Sequence, residues 1–407
     1  MPPPASRRGR DRVVGCRLAD SPAPNGTGRG HASAHRTRGI PLAAGCYPHR
    51  MRFAYYGSVS DSLASFADRL SGALQARGYE RTDDLATANL VLNFVDRANV
   101  RPYRRENKTT FCAAVYEGAA PPADFKEAIS DYYPVLVRSL SNVSVRVVPG
   151  VEARFGTMEQ GNYAIPDTDD DAFFAMVAER LAPLAESHLV IDNIWNPDLE
   201  PELWDGDEVT ESLTRAGQRL DALDLLPAPF PIQDYLDKRD LEHVMRLYSI
   251  GGLSYGNLSA RKDDLRFWMS ASGVDKSNLQ EIGRDMLLVT DYDAANQAMV
   301  MSVPPGIEPR RVSVDAIEHF KIYREHPDVG AIMHVHAWVD GVDATEINYP
   351  CGTAELADAV ADLVRVQPDP GHAIIGLKNH GLTITGESLD EIFDRVEPHI
   401  LRQIPMS

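Results

Sequence analysis

Short apolar runs alternate with amphipathic segments along residues 51–192, and this alternation predicts strands and helices in turn. The runs of strand length are residues 53–56, 90–95, 111–116, 135–137, 143–148 and 189–191. After the first run, Phe66, Leu70 and Leu74 recur at helical spacing, and Gly78 follows as a stop. Two further helices are expected, at 121–130 and 173–184.

Strands that alternate with helices favour a largely parallel, Rossmann-like α/β sheet for residues 51–192. The turn after the first strand, residues 57–60, matches neither the dinucleotide-binding glycine motif nor a P-loop. A capped helix explains this turn better than a phosphate site does. Residues 193–207 are rich in proline and acidic side chains and are predicted to be a linker. They would separate a domain of unassigned role from a second domain at 208–407.

Residues 1–50 differ from the rest of the chain in composition. They are rich in proline, glycine and arginine and show no helical or strand period, so we expect a disordered tail. We expect the protein to start at Met51, because a strand-like run follows it directly. The alternative is a basic arm that binds RNA.

Charge and cysteine content exclude several functional classes. The 407 residues carry a net charge of −18, of which the first fifty contribute about +7 and the remainder about −25. An acidic body argues against nucleic-acid binding, since phosphate contacts need clustered lysine and arginine. No apolar run reaches the length of a membrane span. The four cysteines form no CxxC pair, which favours a reducing compartment, and we expect a cytoplasmic protein.

The strongest local signal for chemistry is the pair His334 and His336. The pair follows a strand-like run at 329–333, and residues two apart on a strand share a face, so both imidazoles converge. His380 comes later, between predicted strands at 373–376 and 382–385. Asp315 begins a helix predicted to reach residue 324. Three imidazoles and a carboxylate suit a borderline-soft divalent ion such as zinc. A histidine pair alone is more often structural or exposed.

Several motifs follow one another in a fixed order through the last 180 residues. They are Gly256–Asn257–Leu258–Ser259, Ser270–Ala271–Ser272–Gly273, Ser313–Val314–Asp315, His334–Val335–His336, Cys351–Gly352–Thr353–Ala354 and Lys378–Asn379–His380–Gly381. This series resembles the class II aldolase/adducin family, which includes L-fuculose-phosphate aldolase and ribulose-phosphate 4-epimerase. The resemblance covers about residues 231–407. It implies an α/β/α sandwich around a mainly antiparallel sheet.

The resemblance also implies a metal site and a substrate site. It assigns Asp315, His334, His336 and His380 as ligands, typically of zinc, with iron(II), manganese or cobalt as alternatives. Asp315 stands where the family usually has glutamate, and it would also act as the catalytic base. Asn257, Ser272, Gly273 and Ser313 would hold the substrate phosphate. Val314 replaces the second serine of that pocket, which leaves the pocket incomplete.

The function expected from this resemblance is a metal-dependent lyase. It would cleave a small hydroxy-carbonyl, such as a sugar phosphate, in a reversible aldol reaction through a metal-stabilised enediolate. The aldolases carry a longer stretch between the histidine pair and Cys351, with a tyrosine that acts as general acid. Tyr349 either takes that role or only packs beside Pro350. The shorter stretch leaves the tetramer of the family in doubt, and a homo-oligomer is one expectation.

Two other functions stay open. The same metal platform supports an epimerase, a dehydratase, a decarboxylase or a non-haem iron oxygenase. A non-enzymatic, adducin-like assembly module is the third hypothesis. The retained histidines argue against the third.

Overall fold

The computed structural model describes most of the chain beyond residue 50. The described residues are 51–105, 107, 109–158, 161–225, 236–247 and 256–407. The predicted disordered tail, residues 1–50, lies outside them. All described residues belong to a single compact unit, His49–Ser407, with an α/β composition. The domain boundaries predicted from sequence within this unit stay a prediction.

The first half of the described chain builds a seven-stranded sheet. Its strands are β1 (Arg52–Gly57), β2 (Glu80–Arg81), β3 (Leu90–Phe94), β4 (Phe111–Glu117), β5 (Val143–Val148), β6 (Glu152–Thr157) and β7 (Asn162–Pro166). Their order is β2-β1-β3-β4-β5-β6-β7. Strands β1 to β5 pair in parallel, and β6 and β7 are added antiparallel. The residues of β3 and β5 are all buried, as expected of parallel strands covered on both faces.

Three helices cover this sheet: α1 (Ala64–Ala76), α2 (Phe125–Ser139) and α3 (Asp171–Glu186). The predicted stripe of α1 is buried, and its Phe66 contacts Phe173 and Phe174 of α3. Asp124 and Asp170 cap α2 and α3 by accepting a hydrogen bond from a backbone N–H three residues on.

Two strands predicted in this half are wrong. Residues 135–137 lie inside α2, because Ile129, Tyr133 and Leu136 continue a buried helical face past Pro134. The β-branched run beside a proline resembled a strand. Residues 189–191 form no strand of the first sheet; Leu189 makes only an isolated bridge to Thr353. Strands β6 and β7 were not predicted, since both are interrupted by polar residues.

The second half builds a nine-stranded sheet. Its strands are β8 (Asp192–Asn196), β9 (Asn257–Arg261), β10 (Phe267–Ser270), β11 (Met286–Asp293), β12 (Ala298–Ser302), β13 (Ala331–Val335), β14 (Asp343–Ala344), β15 (Ile374–Leu377) and β16 (Gly381–Gly386). The order is β14-β15-β16-β13-β9-β10-β11-β12-β8. Its pairs are antiparallel except at the two edges, where β14 and β8 pair in parallel.

Strand β8 corrects the predicted linker at 193–207. Asn193 to Asn196 pair with β12, and Leu199 and Leu203 are buried in the core of the second sheet. The prolines and acidic residues that indicated a linker lie on the exposed side of a segment that is anchored by these apolar side chains. The chain therefore passes from one sheet directly into the other.

Two pairs of helices pack on the second sheet. One pair is α4 (Glu208–Ala222) and α8 (Leu389–Val396), and the other is α6 (Ala316–Glu325) and α7 (Ala354–Val366). A further helix, α5 (Lys238–Leu247), packs against α2 of the first half, where Arg138 pairs with Asp240. Helix α8 ends at Val396, since a 3₁₀ turn containing Pro398 follows it.

Side-chain alternation along β9 directs its polar residues toward α6. Asn257 donates a hydrogen bond to Asp315, and Ser259 is bonded to His319, while Leu258 between them joins the apolar core. The α6 side of the sheet is therefore the polar side. Within the described ranges, no helix has the length and apolar character needed to cross a membrane.

Two mid-helix glycines predict opposite effects of the same substitution. A Cβ at Gly217 of α4 would lie 1.8 Å from the carbonyl oxygen of Lys276, whereas a Cβ at Gly72 of α1 meets nothing within 4 Å. Gly217→Ala should lower the free energy of unfolding by about 1–3 kcal/mol through overpacking. Gly72→Ala should raise it by about 0.5–1 kcal/mol through helix propensity. Urea unfolding of both variants checks this, and equal effects at the two positions would contradict it.

Candidate metal centre

Three histidines converge at one end of the second sheet. His334 lies on β13, His336 follows that strand directly, and His380 lies in the turn between β15 and β16. One ligand nitrogen of each lies within 4.8 Å of the other two. The ring centroids are 4.9–5.1 Å apart. The structure thus brings together the three imidazoles predicted from sequence.

Backbone pairing of β13 with β16 places His380 beside the histidine pair. Val335 is in register with Leu382, so the turn that precedes β16 meets the end of β13. A Cβ at Gly381 would lie 2.3 Å from the carbonyl oxygen of Val335, so only glycine permits this approach. Asn379 adopts a left-handed conformation, φ 58°, which turns the chain back into the site.

The histidines have the protonation state that metal ligands require. Burial lowers the pKa of His336 well below its ordinary value and that of His380 to about 3, so both rings are neutral at pH 7. The Nδ1–H of His334 donates to the carbonyl oxygen of Leu382 at 3.0 Å, which leaves the lone pair on Nε2. Nε2 of His334 and of His380 has no hydrogen-bond partner among the described residues. Such nitrogens fit a divalent ion, with the Leu382 contact fixing one ring.

Asp315 lies beside the histidines but outside their cluster. One carboxylate oxygen accepts from Nδ2 of Asn257 at 2.7 Å, and the other accepts from Sγ of Cys351 at 3.0 Å. Asp315 occupies the position that caps α6, yet its side chain makes no capping bond. Burial opposes ionisation, but His334, His380 and the Cys351 bond lower the pKa of Asp315 below its ordinary value. An ionised carboxylate is therefore held toward the site, and its role as a metal ligand stays a prediction.

The layer behind Asp315 carries no charge at neutral pH. Burial, reinforced by Asp315, raises the pKa of Glu318 to about 8, and Thr383 donates a 2.5 Å hydrogen bond to its carboxyl group. Burial lowers the pKa of His319 to about 3, and its Nδ1 lies 2.7 Å from Oγ of Ser259. Glu318 was not predicted. Its helical spacing from Asp315 was the available signal.

A cavity of about 440 Å³ opens onto His336 and His380. All four residues predicted to bind substrate line it, namely Asn257, Ser272, Gly273 and Ser313, and so does the candidate general acid Tyr349. Ser272 is anchored through its backbone N–H to the carbonyl oxygen of Arg311 at 2.8 Å, and Gly273 turns the chain with φ 67°. Tyr349 is half-buried against the core of the second sheet and also reaches the cavity. This position is compatible with either predicted role of Tyr349.

Lys276 is a cavity residue that the sequence analysis missed. It is 2% exposed and lines the cavity, and α4 packs against its backbone at Gly217. Burial lowers the pKa of Lys276 to about 8, against the attraction of Asp315 and Asp275. A buried lysine near a metal centre is rarely structural, since its desolvation is costly. In the sequence, the only indication that Lys276 lines the cavity was its position three residues after Gly273.

The first half of the chain forms the opposite wall of the same cavity. Its lining residues include Arg105, Asn142, Thr157, Tyr163 and Arg180. None of them was predicted as a site residue, because sequence motifs in this half indicated no site. Their contribution arises from how the chain folds its first sheet against the second.

Comparison with known proteins identifies the part of the chain that holds the first two histidines. Residues 240–339 match the family model described as the class II aldolase and adducin N-terminal domain. These residues are a class II aldolase segment. The segment includes Asn257, Asp315 and both members of the histidine pair, whereas His380 lies beyond it. The first half of the chain lies outside the matched region.

Two similar proteins are methylthioribulose-1-phosphate dehydratases. That of Pectobacterium carotovorum is 35% identical over 101 residues, which are 25% of this chain and 42% of the relative. That of Stenotrophomonas maltophilia is 30% identical over 100 residues, 25% of this chain and 41% of the relative. The chain thus spans less than half the length of these relatives.

Two solved structures resemble the chain at low identity. L-fuculose 1-phosphate aldolase is 20% identical, with a TM-score of 0.33, and the similarity covers 47% of this chain and 81% of that one. YgbL from Klebsiella pneumoniae is 19% identical, with a TM-score of 0.32, covering 47% and 84%. TM-scores this low do not by themselves establish a shared fold.

The class II aldolase segment and His380 predict metal binding that depends on each imidazole. His336→Ala and His380→Ala should reduce bound metal from about one ion per chain to near zero, because two imidazoles rarely retain a divalent ion. Plasma mass spectrometry of protein purified without chelator measures this. His372→Ala is the control, since His372 is partly exposed and bonded to Asp369. Asp315→Asn should retain metal. Wild-type metal content in His380→Ala would refute the site.

The lowered pKa of Lys276 predicts that its contribution to the free energy of unfolding rises with pH. In the folded chain it holds its proton only up to about pH 8, and in the unfolded chain up to its ordinary value of 10.5. Between these values the unfolded state binds more protons, so the contribution of Lys276 to stability rises with pH. The free energy of unfolding of wild type relative to Lys276→Met should therefore increase by roughly 2–3 kcal/mol from pH 7 to pH 10.

Chemical denaturation at several pH values measures this difference. Lys126→Met, at an exposed position on α2, is the matched control and should show no such trend. A difference between wild type and Lys276→Met that is independent of pH would contradict the assignment.

Proposed function

We propose that the chain is a divalent-metal-dependent lyase that eliminates water from a small anionic hydroxy-carbonyl compound. The observation that carries this proposal is the convergence of His334, His336 and His380 at a cavity that also receives the carboxylate of Asp315. The class II aldolase segment supports a lyase, and the dehydratases similar to it favour elimination among the reactions of this platform.

The residues present fit a bound metal ion. Three neutral imidazoles leave room for substrate oxygens at a zinc ion, and iron(II), manganese or cobalt would also accept these ligands. When bound, the ion would supply Lewis-acid stabilisation of the negative charge that develops on the substrate oxygens.

Asp315 is the residue placed to move a proton. Asn257 and Cys351 hold its two oxygens, and it is the only carboxylate among the described residues that line the cavity. As an ionised base it would take the proton from the carbon next to the carbonyl group. The hydroxyl group on the following carbon would then leave as water by taking up the proton that Asp315 had accepted, which restores the carboxylate. Asn257 and Cys351 orient the base for the first of these steps.

The charge of the cavity wall favours an anionic substrate. Arg105, Arg180, Lys276 and Arg311 line the cavity, against the single carboxylate of Asp315. The chain as a whole is acidic, with a net charge of −18, so this local excess of cations opposes the overall charge. The hydroxyls of Ser272 and Ser313 and the backbone N–H of Gly273 add donors for a phosphate group.

Aldol cleavage is the second candidate, and Tyr349 is the observation that favours it. Cleavage needs an acid at the carbon that receives a proton after the bond breaks, and the hydroxyl-bearing ring of Tyr349 reaches the cavity. Burial raises the pKa of Tyr349, which keeps the phenol protonated. A non-enzymatic assembly role would give no reason to bury three imidazoles around one point.

We also infer the finer fold assignments from strand order and pairing. The parallel order β2-β1-β3-β4-β5 supports a Rossmann-like first domain, since β1 lies between β2 and β3 as in doubly wound sheets. Helices on an antiparallel sheet support the α/β/α sandwich for the second domain.

The proposed function predicts product formation that depends on Asp315. The metal-loaded wild-type protein should eliminate water from methylthioribulose 1-phosphate. Mass spectrometry of the product measures this loss of water. Asp315→Asn should lower kcat about 10²- to 10⁴-fold, because the proton acceptor is lost. Its metal content should stay near that of wild type, since Asp315 lies outside the histidine cluster.

L-fuculose 1-phosphate, assayed in parallel for aldehyde release, separates cleavage from elimination. Cleavage of this sugar phosphate without elimination from the first would favour the second candidate. A metal-replete chain that transforms neither compound nor other hydroxy-carbonyl phosphates would overturn the proposal. Turnover by Asp315→Asn at the wild-type rate would show that Asp315 is not the catalytic base.

A further inference from the structure

The first sheet faces the metal cavity with the edge at which its parallel strands begin. Phe111 and Val143, which line the cavity, are the first residues of the parallel strands β4 and β5. Ligands of doubly wound sheets commonly bind at the carboxyl ends of the strands, at the opposite edge. The amino edge and α3 therefore form the wall that faces the class II aldolase segment.

Close contacts hold this wall against the metal centre. Gly161, before β7, leaves little room for a side chain, since a Cβ there would lie 2.9 Å from Oγ1 of Thr157 and 3.1 Å from the carbonyl oxygen of Asn379, the residue before His380. Tyr163 of β7 and Asn348 of the second half both line the cavity. Nearby, His188 lies 2.6 Å from the carboxylate of Glu355. The position of the wall is thus fixed by contacts on both sides of the cavity.

Arg180 is the cation on this wall whose position is best suited to binding a ligand. It lies on α3, is half-buried, and its guanidinium carbon is 5.8 Å from the centre of the Tyr163 ring. Among the described residues, no carboxylate comes within ion-pair distance, 4.0 Å, of its guanidinium group. Arg105 and Arg311 also line the cavity but are exposed, and exposed cations bind anions weakly.

We propose that Arg180 is a substrate-binding residue that pairs with a phosphate group of the substrate, so that the first sheet completes the substrate site of the second. This inference rests on the proposed function and names the anionic group of its substrate. Ser272, Gly273 and Ser313 offer neutral donors on the opposite wall, where Val314 leaves the expected phosphate pocket incomplete. A guanidinium fork provides two parallel donors to phosphate oxygens. Four cations and one carboxylate line the cavity. A phosphate dianion therefore balances the charge of the lining better than a ligand with a single negative charge does.

Binding of inorganic phosphate to the full-length, metal-loaded chain tests this proposal. Isothermal titration calorimetry of wild type, Arg180→Gln, Arg180→Lys and Arg77→Gln gives the dissociation constants. Arg180→Gln should weaken binding about tenfold or more, because a charge-assisted pair is lost. Arg180→Lys should fall between wild type and Arg180→Gln, since lysine keeps the charge without the fork. Arg77→Gln removes the same charge near α3 at a residue outside the cavity lining and should change binding less than about twofold.

The outcomes separate this inference from the proposed function. Equal phosphate affinity in wild type and Arg180→Gln, or no phosphate binding by wild type at millimolar concentration, would overturn the role of Arg180. Acetate that binds more tightly than phosphate would overturn the choice of anion. Metal content, measured on the same samples, reports on the histidine site alone. Phosphate binding that depends on Arg180 in a chain without catalytic activity would retain this inference and reject the lyase.

Discussion

The pairing of β13 with β16 is the interaction on which the rest of the site depends. Register between Val335 and Leu382 sets His380 against His334 and His336, although 43 residues lie between His336 and His380 in the chain. The same pairing supplies the Leu382 carbonyl that fixes the His334 ring. A side chain at position 381 would separate the two strands at this point. The geometry of the site is therefore a property of sheet register more than of any single ligand.

That geometry is held at an electrostatic cost. Three imidazoles, Asp315 and Lys276 are all withdrawn from water, and the imidazoles respond by remaining neutral. Glu318, immediately behind, is neutralised by a raised pKa, so that it does not compete with Asp315 for the cations of the cavity. The fold thus concentrates ionised charge at Asp315 and at the cavity wall. A core built only for stability would place apolar side chains at these positions.

The sequence predicted the parts of the site that lie on regular elements with recognisable motifs. The histidine pair, His380 and the Ser272–Gly273 turn were found because strand periodicity and motif order identify them. Lys276 was missed because a single lysine in a loop has no periodicity, and its burial depends on Gly217 of a distant helix. Residues 135–137 were misassigned because a short β-branched run looks the same in a buried helix and in a strand. Arg180 was missed because helical periodicity says only that its side chain is on a polar face.

The cavity lies between the two sheets of one chain, so residues from both halves of the chain line it. In the sequence, the short stretch before Cys351 left the tetramer implied by the family resemblance in doubt. Here Arg180, Tyr163 and Thr157 of the same chain form the wall that faces the histidines. Gly161 lies close to Asn379, the residue before His380, so this wall packs against the turn that carries the third histidine. The first sheet thus supplies part of the cavity wall from residues that lie outside the class II aldolase segment.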